Sequence, residues 1–179
     1  MGAAVVTADD AVVRASPRVQ DFDAFYGAHW QGVVGVALAL TGGVAAAEDV
    51  AQEAFLRAHD RWGQVAEHPN PAAWVRRVAI NLATSRLRRL RSEARALARL
   101  GGRRAHDAGA IDATDARFWR EVRSLPRRQA QAVALHYVDD LSVEDVAATM
   151  GCAVNTAKVH LHRARASLAD RLAGWEDAT

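Results

Sequence analysis

Apolar residues recur at intervals of three and four along most of the chain, the spacing that places them on one face of an α-helix. Alternation of β-branched and polar residues never persists, so no strand is predicted. The pattern therefore predicts an all-α fold. The predicted helices of the first half run from an N-cap at Asp21 to Leu40, from about Ala45 to Trp62, and from about Ala72 to Arg95 or beyond.

Breaks in this pattern divide the chain. The segment Gly63 to Pro71 is predicted to be a loop, because two prolines so close together cannot continue a helix. From about Ala96 to Thr114, glycines and mixed charges replace the apolar periodicity, which indicates a flexible linker. We therefore expect two small helical domains, residues 21–95 and 115–173, with a linker at 96–114 and tails at 1–20 and 174–179.

A helix-turn-helix is predicted near the C-terminus. Ser142 can cap a short helix, with Asp145 at the position of a capping box, and Gly151 supplies the left-handed residue of a tight turn. The following helix buries one stripe, formed by Val154, Ala157, Leu161, Ala164 and Leu168. Two interpretations are open, a helical hairpin packed in a bundle or a DNA-binding helix-turn-helix.

The opposite face of that second helix is polar and basic, which favours DNA. Such a face can enter a major groove and present its N-terminal side chains to base edges. His160 and His162 are two residues apart and project to different sides of the helix, so no metal site is predicted. The exposed face is predicted to carry Asn155, Thr156, Val159 and Arg163, flanked by Lys158, His160, His162 and Arg165.

Composition excludes several classes of protein. Half of the 179 residues are hydrophobic, which excludes a wholly disordered chain, and the apolar runs fall short of the ~20 residues of a membrane span. The single cysteine, Cys152, cannot form an internal disulfide or a multi-thiolate zinc site and suits a reducing cytoplasm. The first residues lack the apolar core of a signal peptide. We expect a cytoplasmic protein.

Charge is concentrated in one segment although the formal net charge is only +2. Residues 76–104 hold ten arginines against the single acid Glu93, and the neighbouring segments are acidic or neutral. Such a block is typical of a polyanion-binding surface, and the alternative is a solvated arginine-rich helix. On the helix that carries this block, the residues expected in the core are Trp74, Val78, Leu82 and Leu87. The residues left available to solvent or phosphate are Arg76, Arg77, Asn81, Arg88 and Arg89.

An acidic face is predicted on the second helix. Ala51, Ala54, Phe55 and Ala58 form its buried stripe, and the adjoining face carries two acids, an amide and a leucine. That face suits a protein partner with basic groups, although a solvated helix surface has the same spacing. Its residues are Asp49, Gln52, Glu53 and Leu56.

Three sequence blocks together closely resemble one family. They are AEDVAQEAFLRAHDRW at Ala47 to Trp62, PAAWVRRVAINLATSRLRR at Pro71 to Arg89, and LPRRQAQAVALHYVDDLSVEDVAATMGCAVNTAKVHLHRAR at Leu125 to Arg165. In this order and spacing they resemble the sigma-70 family and, more narrowly, the two-domain extracytoplasmic-function (ECF) sigma factors of bacterial RNA polymerase. The resemblance implies a protein that directs promoter-specific initiation of transcription.

The resemblance also implies roles for individual residues. Asp49, Gln52 and Glu53 match the motif that docks on the β′ clamp helices of core RNA polymerase. The loop after that helix, with Val65, matches the segment that captures a flipped base of the minus-ten element. Asn81, Arg76, Arg77 and Arg88 match positions that hold the same strand. The residues that would read the minus-thirty-five element are Thr156, Lys158, Val159, His162 and Arg163.

The resemblance also implies further partners, and two other classes of function fit the sequence less well. Relatives are usually held inactive by an anti-sigma factor, so such a partner is expected, as is promoter DNA. A stand-alone regulator that binds duplex operator DNA is the alternative, but it has no need of an acidic docking face. An enzyme is not expected, because the chain has no glycine-rich phosphate loop, no HExxH and no nucleophile motif. No cofactor is predicted.

Overall fold

The computed structural model describes residues 17–99 and 113–173, and all regular secondary structure in these ranges is helical. The prediction of an all-α fold is confirmed. The helices are α1 (Pro17–Thr41), α2 (Val44–Asp60), α3 (Trp62–Val65), α4 (Pro71–Arg99), α5 (Ala113–Ser124), α6 (Arg127–Tyr137), α7 (Val143–Met150) and α8 (Val154–Leu172).

Helices α1, α2 and α4 pack pairwise against one another and form an N-terminal unit. Their buried faces are rich in alanine and valine, whose small side chains allow the helices to approach closely. Phe55 on α2 is 2% exposed, and burying a side chain of this size stabilises the fold by roughly 1.5–3 kcal/mol. The predicted buried stripe of α2 is confirmed, with Ala51, Ala54, Phe55 and Ala58 all in the core.

Helices α5 to α8 form a C-terminal unit in which α8 packs against α5, α6 and α7. On α8, four of the five residues of the predicted stripe are buried, namely Ala157, Leu161, Ala164 and Leu168. The core of this unit contains Val122, Leu125, Val133, Leu135, Val146, Met150, Leu161 and Leu168.

The two units are packed together, which the sequence did not predict. Helix α4 contacts α6 and α7, and α1 contacts α5 and α6. Gly32 and Gly35, one turn apart on α1, make room for this contact. A methyl group at Gly32 would overlap the carboxylate of Asp139, and one at Gly35 would lie 3.0 Å from Cγ1 of Val138. The end of α6 and its following turn therefore lie directly on the backbone of α1.

The predicted start of the first helix is wrong. Helix α1 begins at Pro17, so Asp21 lies inside the helix and cannot be its N-cap. Proline is well accommodated in the first turn of a helix, because its missing N–H has no intrahelical partner there. Residues 1–16 of the predicted N-terminal tail lie outside the described residues.

The end of the second predicted helix also differs. Helix α2 stops at Asp60, and after Arg61 the short helix α3 covers Trp62 to Val65. The predicted loop from Gly63 therefore starts as a helix, and only residues 66–70 connect α3 to α4 without helical structure. The backbone of Arg61, with φ −118° and ψ 22°, separates the two helices.

The predicted linker is occupied by helix at both ends. Helix α4 continues to Arg99, and α5 begins at Ala113. Residues 100–112, which include Gly101, Gly102 and Gly109, lie outside the described residues, and so does the predicted tail at 174–179.

Candidate nucleic-acid and protein interfaces

The acidic face of α2 is open to solvent. The side chains of Asp49 and Glu53 are 63% and 47% exposed, Gln52 is exposed, and Leu56 is 58% exposed. This face places two carboxylates and an apolar side chain beside one another, as the sequence predicted.

Both carboxylates make only surface ion pairs. Arg57 donates from Nε to Oε1 of Glu53 at 2.8 Å, and Arg86 of α4 donates from Nη1 to Oδ2 of Asp49 at 3.1 Å. Ion pairs this exposed contribute about 0–1 kcal/mol, so a partner can displace them at little cost. A groove of about 690 Å³ separates this face from α4, with Asp49 and Glu53 on one wall and Arg86, Arg88 and Arg89 on the other.

The predicted nucleic-acid face of α4 is only partly open. Arg76 donates from Nε to the carboxylate of Asp139, and these side chains are only 13% and 9% exposed. Asp139 belongs to the turn after α6, so this buried ion pair joins the two units. Breaking a buried pair by removing one partner costs about 3–5 kcal/mol, because a charge is left buried without compensation.

Two further residues of this face are bound by the C-terminal unit. Arg77 donates from Nε to the carbonyl of Thr149 at 2.7 Å and from Nη2 to that of Ala148 at 2.5 Å. Arg127 of α6 donates from Nη2 to Oδ1 of Asn81 at 2.5 Å. The polar atom with which Asn81 would accept from a base is therefore occupied from within the chain.

A buried amide completes the contact between the units. Gln131 of α6 is fully buried and donates from Nε2 to the carbonyl of Ile80 and to Oγ1 of Thr84, both at 3.3 Å. Thr84 in turn donates to the same carbonyl of Ile80 at 2.6 Å. The amide nitrogen of Gln131 therefore joins α6 to α4, while its buried Oε1 has no hydrogen-bond partner among the described residues.

His29 of α1 lies beside the buried ion pair. Burial lowers the pKa of its imidazole, and the charge of Arg76 lowers it further, while Asp139 acts in the opposite direction. The neutral imidazole is therefore favoured where the two units meet.

The core face of α4 differs from the prediction. Trp74, Val78 and Leu82 are half-buried residues packed against the core, and Leu87 is half-buried along a groove. The fully buried residues are Val75, Ala79, Ile80 and Ala83. Since α4 contacts helices of both units, its buried surface is wider than the single stripe that the sequence suggested.

Val65 is not placed on an exposed loop. It ends α3 and is 2% exposed, so its side chain belongs to the apolar core. In the segment that follows, Asn70 accepts from the backbone N–H of Ala73 at Oδ1 over 2.8 Å, which caps the first turn of α4. Val65 is therefore not accessible to a base, and residues 66–69, which follow it, are exposed.

The predicted helix-turn-helix is confirmed in its local geometry. Ser142 accepts from the backbone N–H of Asp145 at 3.1 Å, and its hydroxyl donates to Oδ2 of the same residue at 2.7 Å. Gly151 adopts the left-handed conformation, with φ 66° and ψ 48°, at the end of α7. These features set the angle between α7 and α8.

The outer face of α8 is largely exposed as predicted. Its buried residues are Ala157, Leu161, Ala164 and Leu168, while Val154 at the start of the predicted stripe is 36% exposed. His160 is half-buried, and its pKa is lowered by burial and by the charges of Arg128 and Arg163. The exposed residues are Asn155, Thr156, Lys158, Val159, His162, Arg163 and Arg165.

Two arginines support the helix-turn-helix by hydrogen bonds, a structural role that the sequence did not reveal. Arg128 of α6 donates from Nη1 to the carbonyl of Met150 at 3.0 Å, at the end of α7 where the helix dipole favours a cation. Arg165 of α8 donates from Nε to Oη of Tyr137 at 2.7 Å. Their only sequence signal is positive charge, which does not distinguish supporting residues from DNA contacts.

Comparisons with known proteins agree with this architecture. Residues 25–93 match the family model "Sigma-70 region 2" and residues 115–168 match "Sigma-70, region 4". The RNA polymerase sigma-E factor of Streptomyces antibioticus is 32% identical over 126 residues, covering 70% of each chain. The ECF RNA polymerase sigma factor EcfG of Rhodopseudomonas palustris is 32% identical over 140 residues, covering 74% of each.

Solved structures show the same fold. The sigma factor RpoE, in complex with the anti-sigma factor NepR from Bartonella quintana, aligns with TM-score 0.63 at 24% identity, over 86% of this chain and 97% of that one. CnrH, in complex with the cytosolic domain of CnrY, aligns with TM-score 0.64 at 21% identity, over 88% and 90%.

The chain belongs to the sigma-70 family of bacterial transcription initiation factors. Within that family it is an ECF sigma factor, which binds core RNA polymerase and directs initiation at specific promoters. Across residues 17–99 and 113–173, none of the helices has the length and hydropathy to cross a membrane. The same ranges contain no group of three or more His, Cys, Asp or Glu residues able to hold a metal ion.

Proposed function

We propose that this sigma factor docks on the β′ clamp helices of core RNA polymerase through Asp49, Gln52 and Glu53. The single observation that carries this assignment is the exposure of both carboxylates, which have only weak surface pairs to give up. Leu56, exposed beside them, adds apolar area at the centre of such a contact.

The minus-ten strand would be held by α4. Arg76, Arg77 and Arg88 would contact phosphates, and Asn81 would contact a base edge, with the segment after Val65 receiving the flipped base. In the structure the two units are packed together, which we call the closed arrangement. Three of these residues are then bonded to the C-terminal unit, so this role requires the units to separate. Polymerase binding would supply the free energy of separation.

The minus-thirty-five element would be read in duplex form by α8. Thr156, Lys158 and Val159 lie on its first two turns, and His162 and Arg163 follow on the same exposed face. A helix placed this way in the major groove reads bases with its N-terminal residues and contacts phosphates with its flanking cations.

Regulation, location and chemistry are part of the same proposal. The RpoE and CnrH structures are complexes with NepR and with the cytosolic domain of CnrY, and an anti-sigma partner of this kind would fit the present chain. The protein would act in the cytoplasm, where Cys152 stays reduced. It would act as an initiation factor and not as an enzyme.

Run-off transcription tests the proposal. Core polymerase, this protein and fragmented genomic DNA of the host should give discrete start sites that vanish when the protein is omitted. The aligned upstream sequences should contain two conserved elements. No transcription, with no co-elution with core polymerase, would contradict the proposal. Tight, sequence-specific duplex binding by the protein alone would then support the stand-alone regulator.

A further inference from the structure

A second groove, of about 330 Å³, lies between α4 and the C-terminal unit and is lined by an unusual concentration of arginine. Serine and threonine hydroxyls lie among these arginines, and none of the described lining residues is acidic. The guanidinium groups come from Arg88, Arg91 and Arg95 on α4 and from Arg123 and Arg127 on the opposite wall.

Three of these arginines are hydrogen-bonded to neutral groups, and none of the five forms an ion pair with an acidic side chain in the described part of the chain. Arg91 donates to the carbonyl of Arg123, and Arg123 donates from Nη1 to the carbonyl of Ala39 at 3.2 Å. Arg127 donates to the neutral amide of Asn81. Burial, with the charges of Arg120 and Arg91, lowers the pKa of Arg123. A multivalent anion would relieve this repulsion.

The arrangement on α4 suits a linear anion. Arg88, Arg91 and Arg95 follow one another at three- and four-residue spacing and share one face, with Cα atoms spread over about 10 Å along the axis. Ser85 and Ser92 also line the groove and can donate from their hydroxyls. Guanidinium and hydroxyl donors in such a row match the closely spaced oxygens of linked phosphates.

We propose that this groove binds a short, free chain of phosphates, of the kind carried by a nucleoside triphosphate. The volume is at the small end of the range for ligand pockets, and two walls from different units form it. The site is complete only while the units are packed together, so its ligand stabilises the closed arrangement. The site shares Arg88 with the proposed promoter contacts and contains none of the other residues proposed to bind polymerase or promoter.

Binding of tripolyphosphate to the full chain, in magnesium-free buffer, tests the site. We expect saturable binding by calorimetry and a higher midpoint of thermal unfolding, with no such effect of sulfate at equal ionic strength. The double variant Arg88→Gln with Arg95→Gln should bind at least tenfold more weakly. A matched loss of two charges outside the groove, Arg57→Gln with Arg61→Gln, should bind like the wild type.

Arg127→Gln tests whether both walls take part and should also weaken binding. Full-strength binding by this variant would overturn the two-walled site. Equal losses in both double variants, or equal effects of sulfate, would mean general charge screening and would overturn the proposal. Tighter binding of a short abasic oligonucleotide through the same arginines would also overturn it, in favour of a strand-binding surface. Co-elution with core polymerase is measured separately, so either proposal can fail alone.

Discussion

The polar faces of α2 and α4 lie side by side, but they differ in how strongly their side chains are bonded within the chain. On α2, Asp49 and Glu53 are exposed and held only by surface ion pairs. On α4, Arg76, Arg77 and Asn81 are bonded across to the C-terminal unit. The proposed docking surface is therefore accessible to a partner, whereas the proposed surface for the minus-ten strand would become available only after a rearrangement of the two units.

The difference has a physical cause. Hydrogen bonds to charged groups contribute about 1.5–3 kcal/mol each, and the arginines of α4 make theirs to carbonyls and to one buried carboxylate. In the proposed role of α4, phosphates of the minus-ten strand would have to replace these hydrogen bonds. The ion pairs of the α2 carboxylates contribute only about 0–1 kcal/mol each, so a partner that binds these carboxylates has little intramolecular bonding to displace.

The largest effect is expected on the open face. Asp49→Arg with Glu53→Arg replaces two carboxylates of the proposed interface by cations and should abolish co-elution with core polymerase, because like charges across an interface cost several kcal/mol. Asp23→Arg with Asp170→Arg reverses two exposed charges elsewhere and serves as the matched control. Retained polymerase binding by the first variant, with normal helicity, would exclude this face as the docking surface.

The next largest effect is expected on the closed face. Asp139→Ala leaves Arg76 buried without its partner and should cost the closed arrangement about 3 kcal/mol. Small-angle scattering should then show a larger radius of gyration, while circular dichroism shows unchanged helix content. Asp170→Ala, at an exposed position on α8, should change neither. A lower melting temperature at an unchanged radius would mean that Asp139 supports the fold and not the closure.

A smaller effect is expected on the face of α8, which is open like that of α2. Arg163→Ala should weaken binding to a matched minus-thirty-five element by about 1–3 kcal/mol in the polymerase complex, since one contact in the groove is lost. Arg171→Ala, at the end of the same helix and paired with Glu121, is the control. Equal losses on promoters with and without the element would assign Arg163 to phosphate binding and not to base reading.

The smallest effect is a dependence of closure on pH. The pKa of His29 is lowered where the units meet, so the closed arrangement binds fewer protons than the separated one just below the ordinary histidine pKa. Closure is therefore stabilised as pH rises to about 6.5 and is lost as pH falls below it. Scattering across this range should show the expansion. His29→Gln should flatten the profile, and His162→Gln, on exposed α8, should leave it unchanged.

Features encoded by short stretches of sequence were predicted well. The capping box at Ser142, the left-handed turn at Gly151 and the buried stripe of α2 each depend on residues within one or two turns of one another. Local sequence is sufficient for such features because capping and helical periodicity act over the same short range.

Features that depend on packing between distant segments were not predicted. The burial of Val65 and the pairing of Arg76 with Asp139 require knowledge of what packs against α3 and α4. One signal was present in the sequence. Gly32 and Gly35 lie inside helix α1, where each costs about 1 kcal/mol relative to alanine, and this indicates a close approach of another segment.

The ion pair between Asp49 and Arg86 joins the acidic face of α2 to the arginine-rich helix α4. A cation from a partner that takes Asp49 leaves the guanidinium of Arg86, on the arginine-rich helix, free to meet a phosphate. Under the proposed function, protein and nucleic acid would then bind cooperatively, and by thermodynamic reciprocity each would raise the affinity of the other by the same factor. Since the pair is exposed, its breakage alone accounts for at most about fivefold in that factor.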